Sequence, residues 1–163
     1  MGSGARSAAA GRMSIDVRPA TIEDVDAIVA IENAAFSDPW SENAFHEALS
    51  HPAVFFACAR HGGGDIAGYV VAWFAADEGE IANLAVAPVA WGGGVGRALL
   101  TSALGAADAR GASAVYLEVR DSNERARRLY RSSGFEEVGR RRRYYRRPVE
   151  DAIVLRRTMT KDV

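Results

Sequence analysis

The sequence predicts a single α+β (mixed α/β) domain, with four helices packed on a central, mostly antiparallel sheet of about seven strands. Three observations support this fold class. The chain has 163 residues, 48% hydrophobic and 25% charged, as in an ordinary globular domain. Segments with a two-residue hydrophobic period alternate with segments of helical period. No repeat or linker divides the chain, so we assign residues 13–163 to one domain and residues 1–12 to a disordered leader or expression tail.

The first elements are a strand and two helices. Ile15–Arg18 alternates in hydrophobicity and predicts a strand. Thr21–Asp24 has the spacing of a capping box, so it should begin a helix. That helix places five residues on one stripe: Ile22, Val25, Ile28, Val29 and Glu32. Phe36–Trp40 interrupts it, and Ser41 is the predicted N-cap of a second helix that ends near Ser50.

The rest of the chain predicts three strands and then a mixed segment. Val54–Arg60, Ile66–Ala76 and Glu80–Val86 are strand-like and separated by short turns, which predicts an antiparallel meander. The later elements are helix Val95–Arg110, strand Ala114–Val119, helix Asn123–Ser133 and strands Phe135–Tyr145 and Glu150–Arg156. The predicted order is therefore β-αα-βββ-α-β-α-ββ.

Composition excludes several classes of protein. Cys58 is the single cysteine and there are three histidines, so neither a disulfide framework nor a metal site is expected. No segment approaches about 18 consecutive apolar residues, so no membrane span is expected. Without an export signal, the predicted location is the cytoplasm. Charge is uneven: residues 13–80 hold twelve acidic and two basic residues, whereas residues 81–163 hold nine acidic and sixteen basic ones.

A glycine-rich loop, Trp91–Gly96, lies between a predicted strand and a predicted helix. Glycine lets main-chain N–H groups approach a phosphate, and the helix N-terminus adds a favourable dipole. The alternative is a flexible turn. The loop lacks the Gly-Lys-Ser/Thr of a P-loop, and the preceding strand belongs to an antiparallel meander, unlike a dinucleotide fold.

The segments around this loop resemble a known family. Asn83–Pro88 followed by Gly94–Leu100 resembles motif A of the GNAT superfamily of acyl-CoA-dependent N-acetyltransferases. Leu117–Asn123, with the residues that follow it, resembles motif B. Phe36–Ser41 and Arg143–Tyr145 resemble the RimI-like branch, the ribosomal-protein-alanine N-acetyltransferases. The following residues complete the match to motif B: Ala126, Leu129, Tyr130, Gly134 and Phe135.

This resemblance, which extends from residue 15 to residue 158, implies a GNAT fold with acetyl-CoA as co-substrate and no metal. Main-chain groups of Leu84, Ala85 and Val86 would contact the pantetheine arm, and Asn123 would contact CoA through its side chain. The diphosphate would lie on the loop formed by Gly92, Gly93, Gly94, Val95, Gly96 and Arg97. Trp91 departs from the family pattern, which has Gln or Arg there, and this leaves acyl-CoA affinity and preference open.

The same resemblance implies two catalytic residues, Glu118 as general base and Tyr130 as general acid. Glu118 lies in an apolar strand, where an unpaired carboxylate is costly. Its alternative role is a salt bridge with Arg120 or Arg97, and that of Tyr130 is packing behind the sheet. Glu80 is the rival base, since other GNAT branches hold a catalytic glutamate at the start of that strand.

The resemblance further implies an acceptor site between the loop after the first helix and the last hairpin. The candidate residues are Phe36, Trp40, Glu80, Tyr144 and Tyr145, although the aromatic ones could instead belong to the core. The implied reaction is acetylation of a protein N-terminus, namely the N-terminal alanine of a basic, small-subunit ribosomal protein. The alternatives are acetylation of a lysine side chain or a small-molecule amine, and a non-catalytic acyl-CoA-binding module. The arginines of the last hairpin are interpreted either as protection of an edge strand or as contacts with acidic residues, and direct nucleic-acid binding is not expected.

Overall fold

The computed structural model describes residues 14–159 and confirms the predicted fold class. Seven strands form one sheet in the order β1-β2-β3-β4-β5-β7-β6, in which only β4 and β5 pair in parallel. The strands are β1 Ile15–Pro19, β2 Val54–His61, β3 Ile66–Ala75, β4 Glu78–Val86, β5 Ala114–Arg120, β6 Glu136–Arg146 and β7 Val149–Thr158. The helices are α1 Val25–Ala35, α2 Glu42–Ser50, α3 Val95–Ala109 and α4 Glu124–Ser132. The predicted leader, residues 1–12, lies outside the described residues.

The two N-terminal helices begin in different ways. Ser41 caps α2 as predicted, since its Oγ accepts a hydrogen bond from the Ala44 N–H at 3.1 Å. At α1 the Asp24 carboxylate reaches back to the Thr21 N–H at 2.8 Å, but the chain first makes a 3-10 turn over Ile22–Asp24. That turn rotates Ile22 out of phase with the α-helical stripe. The prediction that Ile22 shares this helical stripe is therefore wrong, and its side chain is 65% exposed.

The sheet is covered on both faces. On one face α3 buries Leu99 and Leu100 against strand residues such as Val70. On the other face α1 and α2 bury Ile28 and Phe45 among side chains of β2, β3 and β4. Successive residues of a strand point to opposite faces, so the central strand β3 serves both cores. Across residues 14–159, no helix has both the length and the apolar character needed to span a lipid bilayer.

The pairing between β4 and β5 is short, and this shapes the centre of the molecule. Only Glu78–Ile81 of β4 pairs with β5, through residues 114–117. One residue further, Ala82 is an extra residue in the β3–β4 register, which is a β-bulge. Beyond it β4 remains paired with β3, while β5 continues alongside β7. In the described chain, the β5-facing edge of Leu84–Val86 is therefore left without a strand partner.

Candidate active site

An apolar cavity of about 500 Å³ lies where β4 ends and where α3 and α4 begin. All but one of the residues that the resemblance predicts to hold acetyl-CoA line this cavity. These residues are Leu84, Ala85, Val86, Gly92, Gly94, Val95, Gly96, Arg97 and Asn123. The exception is Gly93, which borders a separate depression beside His61. We call the first space the apolar cavity.

The loop at the mouth of the apolar cavity depends on two glycines. Gly92 and Gly94 have φ values of 80° and 89°, in the left-handed region that other residues rarely adopt. Gly94 is the N-cap of α3, so the helix starts at the cavity wall. A Cβ on Gly96 would lie 3.2 Å from Leu129 Cδ2, so α3 approaches α4 closely there. The first N–H groups of α3 have no acceptor within the helix, which makes this wall suited to an anion.

Trp91 occupies the position at which the sequence departs from the family pattern. Its indole Nε1–H donates to the Val86 carbonyl at 2.9 Å, and the ring is half exposed. The guanidinium carbon of Arg125 lies 4.1 Å from the ring centroid. Trp91 and Arg125 both line the apolar cavity. Trp91, which stands where the family pattern has Gln or Arg, therefore adds a cation–π contact that joins β4 to α4.

A second space, the carboxylate cleft, has a volume of about 540 Å³. It is lined by all the residues predicted to contact an acceptor: Phe36, Trp40, Glu80, Tyr144 and Tyr145. Glu32, Asp38 and Glu118 add three further carboxyl groups. The cleft is thus acidic and aromatic, whereas none of the described residues that line the apolar cavity carries a carboxylate.

Tyr130 lies where the two spaces meet. It lines both of them, together with Leu84 and Asn123. The ring is buried, 6% exposed, and its centroid lies 5.6 Å from that of Phe135. Burial raises the pKa of the Tyr130 hydroxyl well above its usual range, with a smaller contribution from Tyr145. Tyr130 therefore keeps its proton at neutral pH and can donate it.

Glu118 is half-buried and forms an ion pair, but with a different arginine from those considered above. Its Oε1 lies 2.9 Å from Nε of Arg141, a residue of β6. Arg120 instead pairs with Glu150 at 3.2 Å, and Arg97 donates to the Ser132 hydroxyl at 2.9 Å. The expectation of Arg120 or Arg97 is therefore wrong, because the β6–β7 hairpin brings a third arginine closer.

Glu80 and the two tyrosines respond to the charge of Glu118. The pKa of Glu80 is raised, first by removal from solvent and then by the negative charge of Glu118, while Arg141 partly offsets both. Burial and the Glu118 charge raise the pKa of Tyr145 to about 12. A hydrogen bond to Glu118 is the main cause of the raised pKa of Tyr144. These groups form one electrostatic cluster.

Glu32 forms a polar centre in this site that the sequence did not predict. Glu32 is 1% exposed and accepts hydrogen bonds from the Trp40 N–H at 2.8 Å, from Asn83 Nδ2 at 2.9 Å and from the Tyr69 hydroxyl. Burial raises its pKa. The available signal was an acidic residue on the apolar stripe of α1. Glu32 links the acceptor-side loop to β4.

Comparison with known proteins identifies the family. The sequence model of the acetyltransferase (GNAT) family matches residues 25–135. The chain belongs to this family. The GNAT resemblance of the sequence, and the acyltransferase activity that it implies, are thereby confirmed.

Two relatives and one crystal structure place the GNAT chain in the RimI-like branch. It is 39% identical over 156 residues to the N-alpha-acetyltransferase RimI of Mycobacterium tuberculosis, covering 89% of this chain and 96% of the relative. It is 36% identical over 136 residues to the [ribosomal protein bS18]-alanine N-acetyltransferase of Escherichia coli, covering 81% and 89%. The crystal structure of the ribosomal-protein-S18-alanine N-acetyltransferase from Escherichia coli superposes with a TM-score of 0.83 at 31% identity, covering 92% of this chain and 97% of that one.

Proposed function

We propose that this chain transfers the acetyl group of acetyl-CoA to the N-terminal α-amine of a protein, and that its acceptor is the N-terminal alanine of a small-subunit ribosomal protein. One observation carries the proposal. The apolar cavity and the carboxylate cleft meet at Tyr130 and at the unpaired edge of Leu84, so two substrates can reach one point from opposite sides. The names of the relatives support the choice of acceptor.

The apolar cavity fits acetyl-CoA. Its anion-binding wall is the N-terminus of α3 with Gly92 and Gly94, and its volume of about 500 Å³ suits an extended apolar arm. The free edge of Leu84–Val86 offers main-chain groups to that arm in the manner of an added strand, and Asn123 adds a side-chain contact. Bound acetyl-CoA supplies an activated thioester, and no metal is needed for its cleavage.

Proton transfer is assigned to two residues on opposite sides of this point. An α-amine has a pKa of about 8, so most of it is protonated at neutral pH and must lose a proton. Glu118 first takes a proton from the ammonium group, and the lone pair this frees bonds to the acetyl carbon. As the carbon–sulfur bond then breaks, Tyr130 gives its hydroxyl proton to the sulfur, and the proton that the nitrogen loses from the adduct returns to the Tyr130 oxygen. Glu80, which shares the cleft, holds the ammonium group of the acceptor and is the alternative base.

The carboxylate cleft suits the start of a basic peptide. Its carboxyl groups attract cationic residues that follow the α-amine, and Phe36, Trp40, Tyr144 and Tyr145 supply apolar and aromatic walls. A ribosomal acceptor places the reaction in the cytoplasm. The proposed reaction requires that the enzyme contact the acceptor protein, and it does not require that the enzyme bind nucleic acid.

The test is turnover of acetyl-CoA with a peptide panel. One peptide begins with Ala and continues with Arg, a second has the same sequence with a blocked N-terminus and one internal Lys, and free amines form the third arm. The proposal expects acetylation of the first peptide only, at its α-amine, as read by mass spectrometry. Acetylation of the internal Lys or of a free amine would transfer the function to those acceptors. Tight binding of acetyl-CoA without any turnover would indicate a binding module.

A further inference from the structure

Trp91 and Arg125, which contact each other, both line the apolar cavity. Trp91 follows β4, whereas Arg125 lies in the first turn of α4. The guanidinium carbon is 4.1 Å from the indole centroid, within the range of a cation–π contact. The indole is itself fixed, because its Nε1–H donates to the Val86 carbonyl at 2.9 Å. We call this pair the Trp91–Arg125 stack.

Arg125 differs in its partners from a neighbouring arginine of α4. Arg127 forms an ion pair with Asp121 at 3.2 Å. Among residues 14–159, by contrast, no carboxylate lies within salt-bridge distance of Arg125. Stacking on an aromatic ring uses the flat face of a guanidinium and leaves its N–H groups available. Arg125 is therefore a cation held in place at the cavity without a protein anion.

The surroundings favour an anion at the same place. The apolar cavity is also bordered by the N-terminus of α3 and by Arg97, and within the described part of the chain no carboxylate lines it. A guanidinium with free N–H groups is suited to the oxygens of a phosphate. A flexible arginine loses side-chain entropy when it binds, and one that is already stacked loses less.

We propose that Trp91 is a positioning residue that holds Arg125 as a phosphate-binding group at the mouth of the apolar cavity. The stack raises affinity for CoA and its thioesters, which carry phosphates, and leaves affinity for phosphate-free pantetheine unchanged. This inference rests on the proposed use of acetyl-CoA. It gives Trp91 a task that the Gln or Arg of the family pattern could not perform in the same way, because neither offers an aromatic face.

The test measures binding by calorimetry, without turnover. Three ligands separate the sources of phosphate: CoA, dephospho-CoA, which lacks the 3′-phosphate, and pantetheine, which has none. Arg125→Gln should weaken CoA binding about tenfold and leave pantetheine binding unchanged. Dephospho-CoA then shows which phosphate Arg125 binds. If Arg125→Gln weakens dephospho-CoA binding as much as it weakens CoA binding, Arg125 binds the diphosphate. If Arg125→Gln leaves dephospho-CoA binding unchanged, Arg125 binds the 3′-phosphate. Arg131→Gln, an exposed change in the last turn of α4, is the charge-matched control and should have little effect.

The positioning role of Trp91 is tested by a double-mutant cycle. Trp91→Ala should weaken CoA binding several-fold, Trp91→Phe should restore part of it, and Trp91→Ala combined with Arg125→Gln should be no weaker than Arg125→Gln alone. Equal losses from Arg125→Gln and Arg131→Gln, or additive effects of the two changes in the stack, would overturn the inference. Failure of the unmodified protein to bind CoA would instead overturn the proposed function, so the two failures are distinct. Melting temperatures of all variants report on folding.

Discussion

The two halves of the candidate active site are built by different means. The apolar cavity consists largely of main chain and small side chains contributed by a strand, a loop and the helix that directly follows it, together with α4. The carboxylate cleft includes charged and aromatic side chains from α1, its following loop, β4, β5 and the β6–β7 hairpin. The first half is the proposed site of a ligand common to the whole family, whereas the second half carries the side chains proposed to select an acceptor.

The change with the largest expected effect removes one atom at the point shared by both halves. Tyr130→Phe keeps the buried ring and its contact with Phe135 and deletes only the hydroxyl. General acids contribute about 10²–10⁴-fold, so kcat should fall by that range while CoA affinity is unchanged. Steady-state kinetics and calorimetry measure the two quantities. A kcat within about twofold of the original would remove Tyr130 from the mechanism.

The next change should disable the apolar cavity alone. Gly94→Asp combines a strained φ of 89° with a negative charge at the N-cap of α3, so CoA affinity should fall about 100-fold or more. Gly105→Asp is the matched control, because Gly105 lies within α3 and a Cβ there meets no neighbouring atom within 4 Å. Calorimetry of both folded variants decides the matter. Unchanged CoA affinity in Gly94→Asp would place the ligand elsewhere.

The third change distinguishes the two glutamates of the carboxylate cleft. Glu118→Gln should lower kcat/KM by about 10²-fold near neutral pH, and the loss should shrink above about pH 8, where the amine is already free. Glu80→Gln should lower kcat/KM less than Glu118→Gln does, mainly by raising KM for the peptide. A pH–rate profile of each variant separates the roles, and the reverse order of effects would make Glu80 the base.

The same pair gives a pH prediction that needs no turnover. The charge of Glu118 contributes to the raised pKa of Glu80, so Glu118→Gln should move the Glu80 pKa down toward its ordinary value. NMR titration of the Glu80 carboxyl carbon measures this shift directly. A Glu80 pKa that rises or stays the same in Glu118→Gln would show that the charge of Glu118 does not raise the Glu80 pKa.

The smallest expected effect concerns the link between the acceptor loop and β4. Glu32→Gln keeps the shape but sets an amide N–H₂ among donors, leaving one donor without an acceptor at a cost of about 1–3 kcal/mol in the free energy of unfolding. A carboxyl whose pKa is raised by folding binds its proton more tightly in the folded state, so the original protein loses stability as pH rises above the ordinary glutamate value of about 4.3. The difference in stability between the two proteins should therefore narrow over that rise in pH. Urea unfolding across pH 4–8 tests this, and a widening difference would contradict it.

The contrast between the two halves also explains what the sequence could predict. The glycine loop is a local pattern of strand, turn and helix, and the family resemblance adds the other residues predicted to hold acetyl-CoA. All of these residues except Gly93 line one cavity, and their contact with acetyl-CoA stays a prediction. The acceptor residues also converge as predicted, but only a family resemblance could bring together segments as distant as Trp40 and Tyr145. The partner of Glu118 could not be predicted, because it depends on how the last hairpin crosses β5. Glu32 was predicted to lie on the same helical stripe as four apolar residues, but its hydrogen-bond partners could not be predicted because they come from three separate segments.

The short parallel pairing in the middle of the sheet has a consequence for how the molecule opens. Among residues 14–159, the strand pairing between the β1–β4 side and the β5–β7–β6 side consists of four residue pairs. We therefore expect local opening and amide hydrogen exchange to be faster at this pairing than at the longer antiparallel pairings of the sheet. A ligand bound along the free edge of β4 would bridge the two sides of the sheet and slow hydrogen exchange of the amides at the β4–β5 pairing. By mass action, a ligand present at 100 times its Kd adds about 2.7 kcal/mol to the stability of the folded state. The supply of acetyl-CoA would then govern the lifetime of the protein against proteolysis as well as its turnover.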